Sequence, residues 1–182
     1  RSDVCSDDLN LCTHGTESTV RGRSVRSYEI YDNTFTTSSF IFCGIYLRGG
    51  TGVIFNNVFI PGAGETGYQN AVLCANYRCN QPYAPWGQVT GANPWDGNQD
   101  ASGYPCLDQV GRGKSDLLVG DAPTPAWPNQ ASEPLYLWNN SWTPVRNNPG
   151  ARIGSQHDVI QANRDWLDST QKPGYAPYPY PH

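Results

Sequence analysis

The chain has 182 residues, 37% of them hydrophobic and only 15% charged, with 19 Gly and 15 Pro. That is long enough for one domain with a core, and its composition favours short strands and turns over long helices. A net charge of -4 and a pI of about 5.2, with lysine only at Lys114 and Lys172, exclude the basic footprint that a nucleic acid partner requires. No apolar run approaches the roughly 18–20 residues that span a bilayer.

The chain opens abruptly at Arg1, which fits removal of an upstream leader. Residues 1–20 read as a capping segment. They contain two of six cysteines: Cys5, Cys12, Cys43, Cys74, Cys79 and Cys106. Structural zinc sites want two residues between paired cysteines. The close pairs here enclose six (Cys5, Cys12) and four (Cys74, Cys79). The even count therefore reads as a disulfide framework in an oxidising, extracytoplasmic compartment. Sequence leaves the connectivity open. Cys5–Cys12 and Cys74–Cys79 are the shortest links and would leave Cys43 and Cys106. His14, near Glu17 and Ser18, has no nucleophile elbow around it and reads as structural, as do the isolated His157 and His182.

Residues 21–60 and 135–170 carry a repeat. Tyr28-Glu-Ile-Tyr-Asp-Asn-Thr-Phe35, Gly52-Val-Ile-Phe-Asn-Asn-Val-Phe59, Leu135-Tyr-Leu-Trp-Asn-Asn-Ser-Trp142 and Val159-Ile-Gln-Ala-Asn-Arg-Asp-Trp166 each place an Asn corner after a strand. The aligned residues Asn33, Asn57, Asn140 and Asn163 are separated by 24, 83 and 23 positions. A period in the low twenties marks stacked coils that share one core. The fold expected is all-β, a right-handed parallel β-helix of few coils. Asparagine tolerates the left-handed corner conformation and can hydrogen-bond up the stack. Alternation turns Ile30, Ile54, Leu137 and Ile160 inward, with Tyr31, Phe55 and Trp138 outward in a line. Phe35, Phe59 and Trp142 pack the next bend, and residues 159–166 form a degenerate terminal coil. Phe40 to Gly50 adds another strand or two.

Residues 61–134, with three cysteines and no sustained periodicity, read as a loop-rich insertion. Within it, Asp96-Gly-Asn98-Gln-Asp100 sets oxygen side chains at alternate positions, as a calcium ligand set does. Ala101 and Leu107 stand where an EF-hand wants Gly and Glu, so the alternative is a turn held by Asx hydrogen bonds. The Pro/Tyr tail 171–182 reads as extended polyproline II.

The runs His14-Gly-Thr-Glu-Ser18, Tyr28 to Phe35, Leu47-Arg-Gly-Gly-Thr51, Asn93-Pro-Trp-Asp-Gly-Asn98, Gly103-Tyr-Pro-Cys-Leu-Asp-Gln109, Gly111-Arg-Gly113, Leu135 to Asn140 and Ala162-Asn-Arg-Asp165 resemble the C-terminal part of a bacterial family. Its members are secreted right-handed parallel β-helix proteins, distantly similar in fold to pectate lyases. The resemblance covers most of the chain. It implies longer relatives with more coils upstream, and an extracellular protein tied to polysaccharide or cell-surface material.

Three functions compete. The first is a non-catalytic polysaccharide-associated module using Tyr31, Phe55 and Trp138 as a sugar-binding strip; the bland alternative is that the insertion or tail covers these rings. The second is a structural or filament subunit stacking through open β-helix ends. The third is a calcium-dependent polysaccharide lyase. Lyases of this resemblance set calcium on carboxylates beside an Arg or Lys base, and Arg48 with Asp32 would be that pair, or else a structural bridge. Asn139-Asn140-Ser141 matches a glycosylation acceptor formally, but its place in the corner argues against that use.

Overall fold

The computed structural model describes residues 4–5, 10–13, 25–62, 67–79, 87–92, 96, 106, 109–114, 131–143 and 151–177. Among them the protein is all-β, with one 3-10 turn at Tyr77–Cys79. No helix is long and apolar enough to cross a membrane. The strands in chain order are β1 (Val4–Cys5), β2 (Asn10–Cys12), β3 (Ser27–Tyr31), β4 (Thr34–Thr36), β5 (Phe40–Leu47), β6 (Thr51–Phe55), β7 (Val58–Ile60) and β8 (Gly67–Cys74). They continue with β9 (Arg112–Lys114), β10 (Ala131–Ser132), β11 (Leu135–Trp138), β12 (Ser141–Trp142), β13 (Ala151–Ser155) and β14 (Trp166–Leu167).

Three parallel stacks organise these strands. Sheet I runs β3-β6-β11-β14, sheet II runs β4-β7-β12, and sheet III runs β2-β5-β8-β13 with β1 antiparallel on its edge. The chain visits them in a fixed order, I to II to III, through β3, β4, β5, then β6, β7, β8, then β11, β12, β13. The first two circuits stay in register at 24 residues, with Ser27 opposite Thr51 and Thr34 opposite Val58.

The register stacks like on like, as the inward pattern predicts. Ile30, Ile54 and Leu137 align in sheet I. Ile45, Val72 and Ile153 align in sheet III. In sheet II, Phe35 lies on Phe59 with ring centroids 4.8 Å apart, and Trp142 pairs with Phe59. All nine belong to or pack against one core. Each fully buried aliphatic side chain contributes about 1.5–3 kcal/mol relative to exposure.

The Asn corners join sheets I and II. Asp32, Asn56 and Asn139 take the left-handed turn (φ 55°, 54° and 51°), a conformation that short Asx side chains accept most readily. The next residues, Asn33, Asn57 and Asn140, form a ladder. Asn57 Oδ1 accepts from Asn33 N and Nδ2 at 3.1 and 3.0 Å. Asn140 Oδ1 accepts from Asn57 N and Nδ2 at the same distances. Asn57 is fully buried, and these bonds satisfy it.

Three expectations change. First, Asn163 leaves the ladder. It turns left-handed (φ 64°) inside a turn, and β14 pairs Trp166 with Leu135, a spacing of 31 rather than 23. Asp165 is the cause. Its buried carboxylate accepts from Gln161 N at 2.9 Å, so the chain coils locally and meets sheet I only at Trp166. Ile160 is still buried in the core, beside Val159.

Second, β8 lies within 61–134 but is a full member of sheet III, between β5 and β13. It is buried along nearly its whole length, and so shows no alternation for the sequence to reveal. The chain departs after Ala75 and returns where Gly111 N donates to Gly50 O at 2.9 Å. The β9–β10 hairpin then leads into β11.

Third, Cys12 is disulfide-bonded, but Cys43, Cys74, Cys79 and Cys106 are free thiols; the Cys74–Cys79 link is not formed. Cys74 ends β8 fully buried in the core, whereas Cys79 is half-buried in the 3-10 turn. The side chain of Cys5 lies outside the described residues.

Candidate functional site

Sheet I presents its outward face through alternate residues. On β3 these are Ser27, Glu29 and Tyr31; on β6, Thr51, Val53 and Phe55; on β11, Tyr136 and Trp138. The register aligns Glu29 with Val53 and Tyr136, and Tyr31 with Phe55 and Trp138.

The aromatic line predicted from sequence is present. Tyr31 stacks on Phe55 at 4.8 Å and 12°, and Phe55 on Trp138 at 4.5 Å and 3°. It is not an open strip. Tyr175 of the tail sets its edge against Phe55 (5.8 Å) and Trp138 (5.9 Å). Phe55 and Trp138 are buried and only Tyr31 is partly exposed. The physical reason is the cost of leaving a contiguous apolar patch in water.

The tail that covers the line leaves a cleft of about 660 Å³ beside it. Glu29, Thr51 and Val53 line it from sheet I, with Arg26 at the entry to β3 and Glu133, Lys172 and Tyr175 completing it. Lys172 Nζ meets Glu133 Oε1 at 3.0 Å, both side chains about 30% exposed, and this pair ties the tail to the approach to β11. The Tyr175 hydroxyl is pushed up to about 12, first by burial and then by the Glu29 carboxylate beside it. It therefore stays a neutral hydroxyl facing a carboxylate. Two carboxylates, two cations and a phenol thus converge on one concave surface, able to donate and accept hydrogen bonds with hydroxyl-rich ligands.

The other sequence candidates fall elsewhere. Asp96 is fully buried and its carboxylate is spent: Oδ1 takes Arg78 Nη2 at 2.7 Å, and Oδ2 takes the N–H groups of Thr90 and Gly91 at 3.1 Å. Through these contacts it anchors the Arg78 side chain and the backbone at Thr90 and Gly91. Asn98 and Asp100 lie outside the described residues, and no cluster of three metal-ligating side chains occurs among those described. Arg48 turns to Thr13, donating from Nε to the Thr13 carbonyl at 2.8 Å, while Asp32 stands exposed at its corner. Asn139 is exposed in left-handed backbone. His157 is desolvated, which lowers its pKa against the opposing pull of Asp158. His14, Glu17, Ser18 and His182 lie outside the described residues.

Sequence reasoning did not single out Arg26, Glu29, Glu133, Lys172 or Tyr175. Glu29 was within reach, since alternation from Tyr31 turns it outward. The landing place of the tail was not. Comparison with family models, with curated proteins and with solved structures finds no match to the chain.

Proposed function

We propose that the three parallel stacks are the coils of a right-handed parallel β-helix of the secreted, pectate-lyase-like kind, and that the chain is a non-catalytic module binding polysaccharide in the cleft under its tail. The right hand follows from the strong preference of parallel crossovers for that hand. The observation that carries the binding role is the cleft's balanced chemistry, Glu29 and Glu133 against Arg26 and Lys172, with the Tyr175 phenol beside them. Balanced charge gives little attraction for a polyanion, so the ligand is a neutral glycan whose hydroxyls donate to the carboxylates and accept from the cations. Affinity electrophoresis against β-glucan, xylan and polygalacturonate tests this. Retardation by a neutral glycan, weakened by Glu29→Gln, is expected. Equal mobility in all three gels overturns the reading.

A second reading, self-association, is favoured by exposed apolar side chains on the outer surface of sheets II and III: Phe40 (48%), Phe42 (42%), Val58 (38%) and Ile60 (44%). It places the contact on a lateral face rather than at the β-helix ends. Light scattering decides it, because a monomer at high concentration removes this role.

A further inference from the structure

The tail reaches the cleft along a defined path. Trp166 and Leu167 pair with Leu135 and Tyr136, and Thr170 N donates to the Leu137 carbonyl at 3.0 Å. The chain is thus laid along the edge of β11 that faces away from β6 before it turns. Lys172-Pro-Gly-Tyr175 is that turn. Gly174 takes the left-handed backbone of its third position (φ 67°), and Tyr175 N donates to the Lys172 carbonyl at 3.3 Å. The turn sets the Tyr175 ring against the cluster of Val53, Phe55 and Trp138. Val53 lies opposite Glu29 in the β3–β6 register. Tyr175 and Glu29 therefore share the outward face of sheet I, and both line the cleft.

The Tyr175 hydroxyl is shielded from solvent and no partner meets hydrogen-bonding geometry with it. The Glu29 carboxylate acts on it from outside that geometry. Other polar groups of the cleft are engaged: the Thr51 hydroxyl donates to the Pro134 carbonyl at 3.1 Å, and Lys172 holds Glu133. The Tyr28 hydroxyl is also buried without a partner, but that side chain packs against the main core. A shielded hydroxyl with no partner costs stability that a ligand can return. The phenol has a proton to donate and the carboxylate only accepts. A group placed between them must accept from one and donate to the other. A hydroxyl does both, whereas an ether or ester oxygen only accepts.

We propose that Tyr175 determines which ligand the cleft accepts: a free hydroxyl of the glycan sits between Tyr175 and Glu29, accepting from the phenol and donating to the carboxylate. This role rests on glycan binding in the cleft. Nothing lies within 4 Å of where a Cβ on Gly174 would stand, which leaves the turn room to shift outward and admit the ligand. The bond forms away from bulk water, so a glycan whose hydroxyl is capped leaves the phenol stranded and is rejected.

The test compares wild type with Tyr175→Phe, which keeps the ring and removes only the hydroxyl. Affinity gels contain β-glucan, xylan, or the O-methylated form of each. Wild type should bind its neutral glycan about tenfold more tightly than the methylated form, the worth of one such hydrogen bond. Tyr175→Phe should bind the unmodified glycan about tenfold more weakly and lose the discrimination. Its thermal midpoint should not fall, and acrylamide quenching of its tryptophans should match wild type, because the ring packing is kept. Wild-type retardation and discrimination in Tyr175→Phe overturn the role while leaving glycan binding intact. Weakened binding together with a lowered midpoint makes the residue structural and also overturns it. Wild type unretarded in every gel removes glycan binding and this role together.

Discussion

Asn57 Oδ1 accepts from both nitrogens of Asn33, at the corner that follows the neighbouring strand β3, at 3.1 and 3.0 Å. Its own Nδ2 reaches the Ile30 carbonyl at 2.9 Å and Asn140 Oδ1 at 3.0 Å. One fully buried side chain thus serves three successive strands. Asn57→Ala removes these bonds and strands the Asn33 amide, so a loss of about 3 kcal/mol is expected in urea unfolding. Asn33→Ala, at the exposed end of the ladder, should cost about 1 kcal/mol. Equal losses at the two positions would contradict a cooperative ladder.

Gly52 sits opposite Tyr28 in the tightest part of sheet I. A Cβ there would lie 2.0 Å from the Tyr28 carbonyl oxygen. Because the obstacle is backbone, no rotamer relieves it and the strands must part. Gly52→Ala should cost about 3 kcal/mol, read as a drop in the thermal midpoint.

Arg78 and Asp96 are buried together, and removing one partner leaves the other charge uncompensated. Asp96→Asn and Arg78→Ala should each destabilise by about 3–5 kcal/mol. The loss should be the same with calcium or with chelator, because both Asp96 oxygens are already engaged. A stability gain on adding calcium that vanishes in Asp96→Asn would restore the metal role.

Tyr175 edges against Phe55 and Trp138. Tyr175→Ala should uncover the aromatic line at a cost of about 2 kcal/mol and raise acrylamide quenching of tryptophan fluorescence. Unchanged quenching would mean that the tail does not shield Trp138 in solution.

Alkaline pH should destabilise the reduced protein. Burial pushes the Cys43 thiol from 9.0 up to about 12 and raises the Tyr28 phenol well above 10.0. The folded state therefore keeps protons that the unfolded chain releases. This contribution is complete below about pH 9 and is lost as pH rises towards 12, with Cys43 alone giving a slope of about 1.4 kcal/mol per pH unit. Cys43→Ala should flatten the profile of stability against pH. On the acid side, the lowered pKa of His157 costs stability as pH falls through about 6.5.

The sequence by itself determined what depends on neighbours along the chain. The left-handed Asx turn, the asparagine after it and the inward Ile30, Ile54 and Leu137 are local choices, repeated because each strand of sheet I pairs in parallel with a neighbour of the same pattern. The tertiary structure alone decided what depends on where a departing segment lands. Asp165 folds its carboxylate onto Gln161 N and delays the fourth strand to Trp166. β8, buried along nearly its whole length, has no periodicity to betray it. Glu29 comes to line a cleft only where Lys172 and Tyr175 close over sheet I. Repeats are written in spacing, whereas return points are set by which distant groups can bury their charge and apolar surface together.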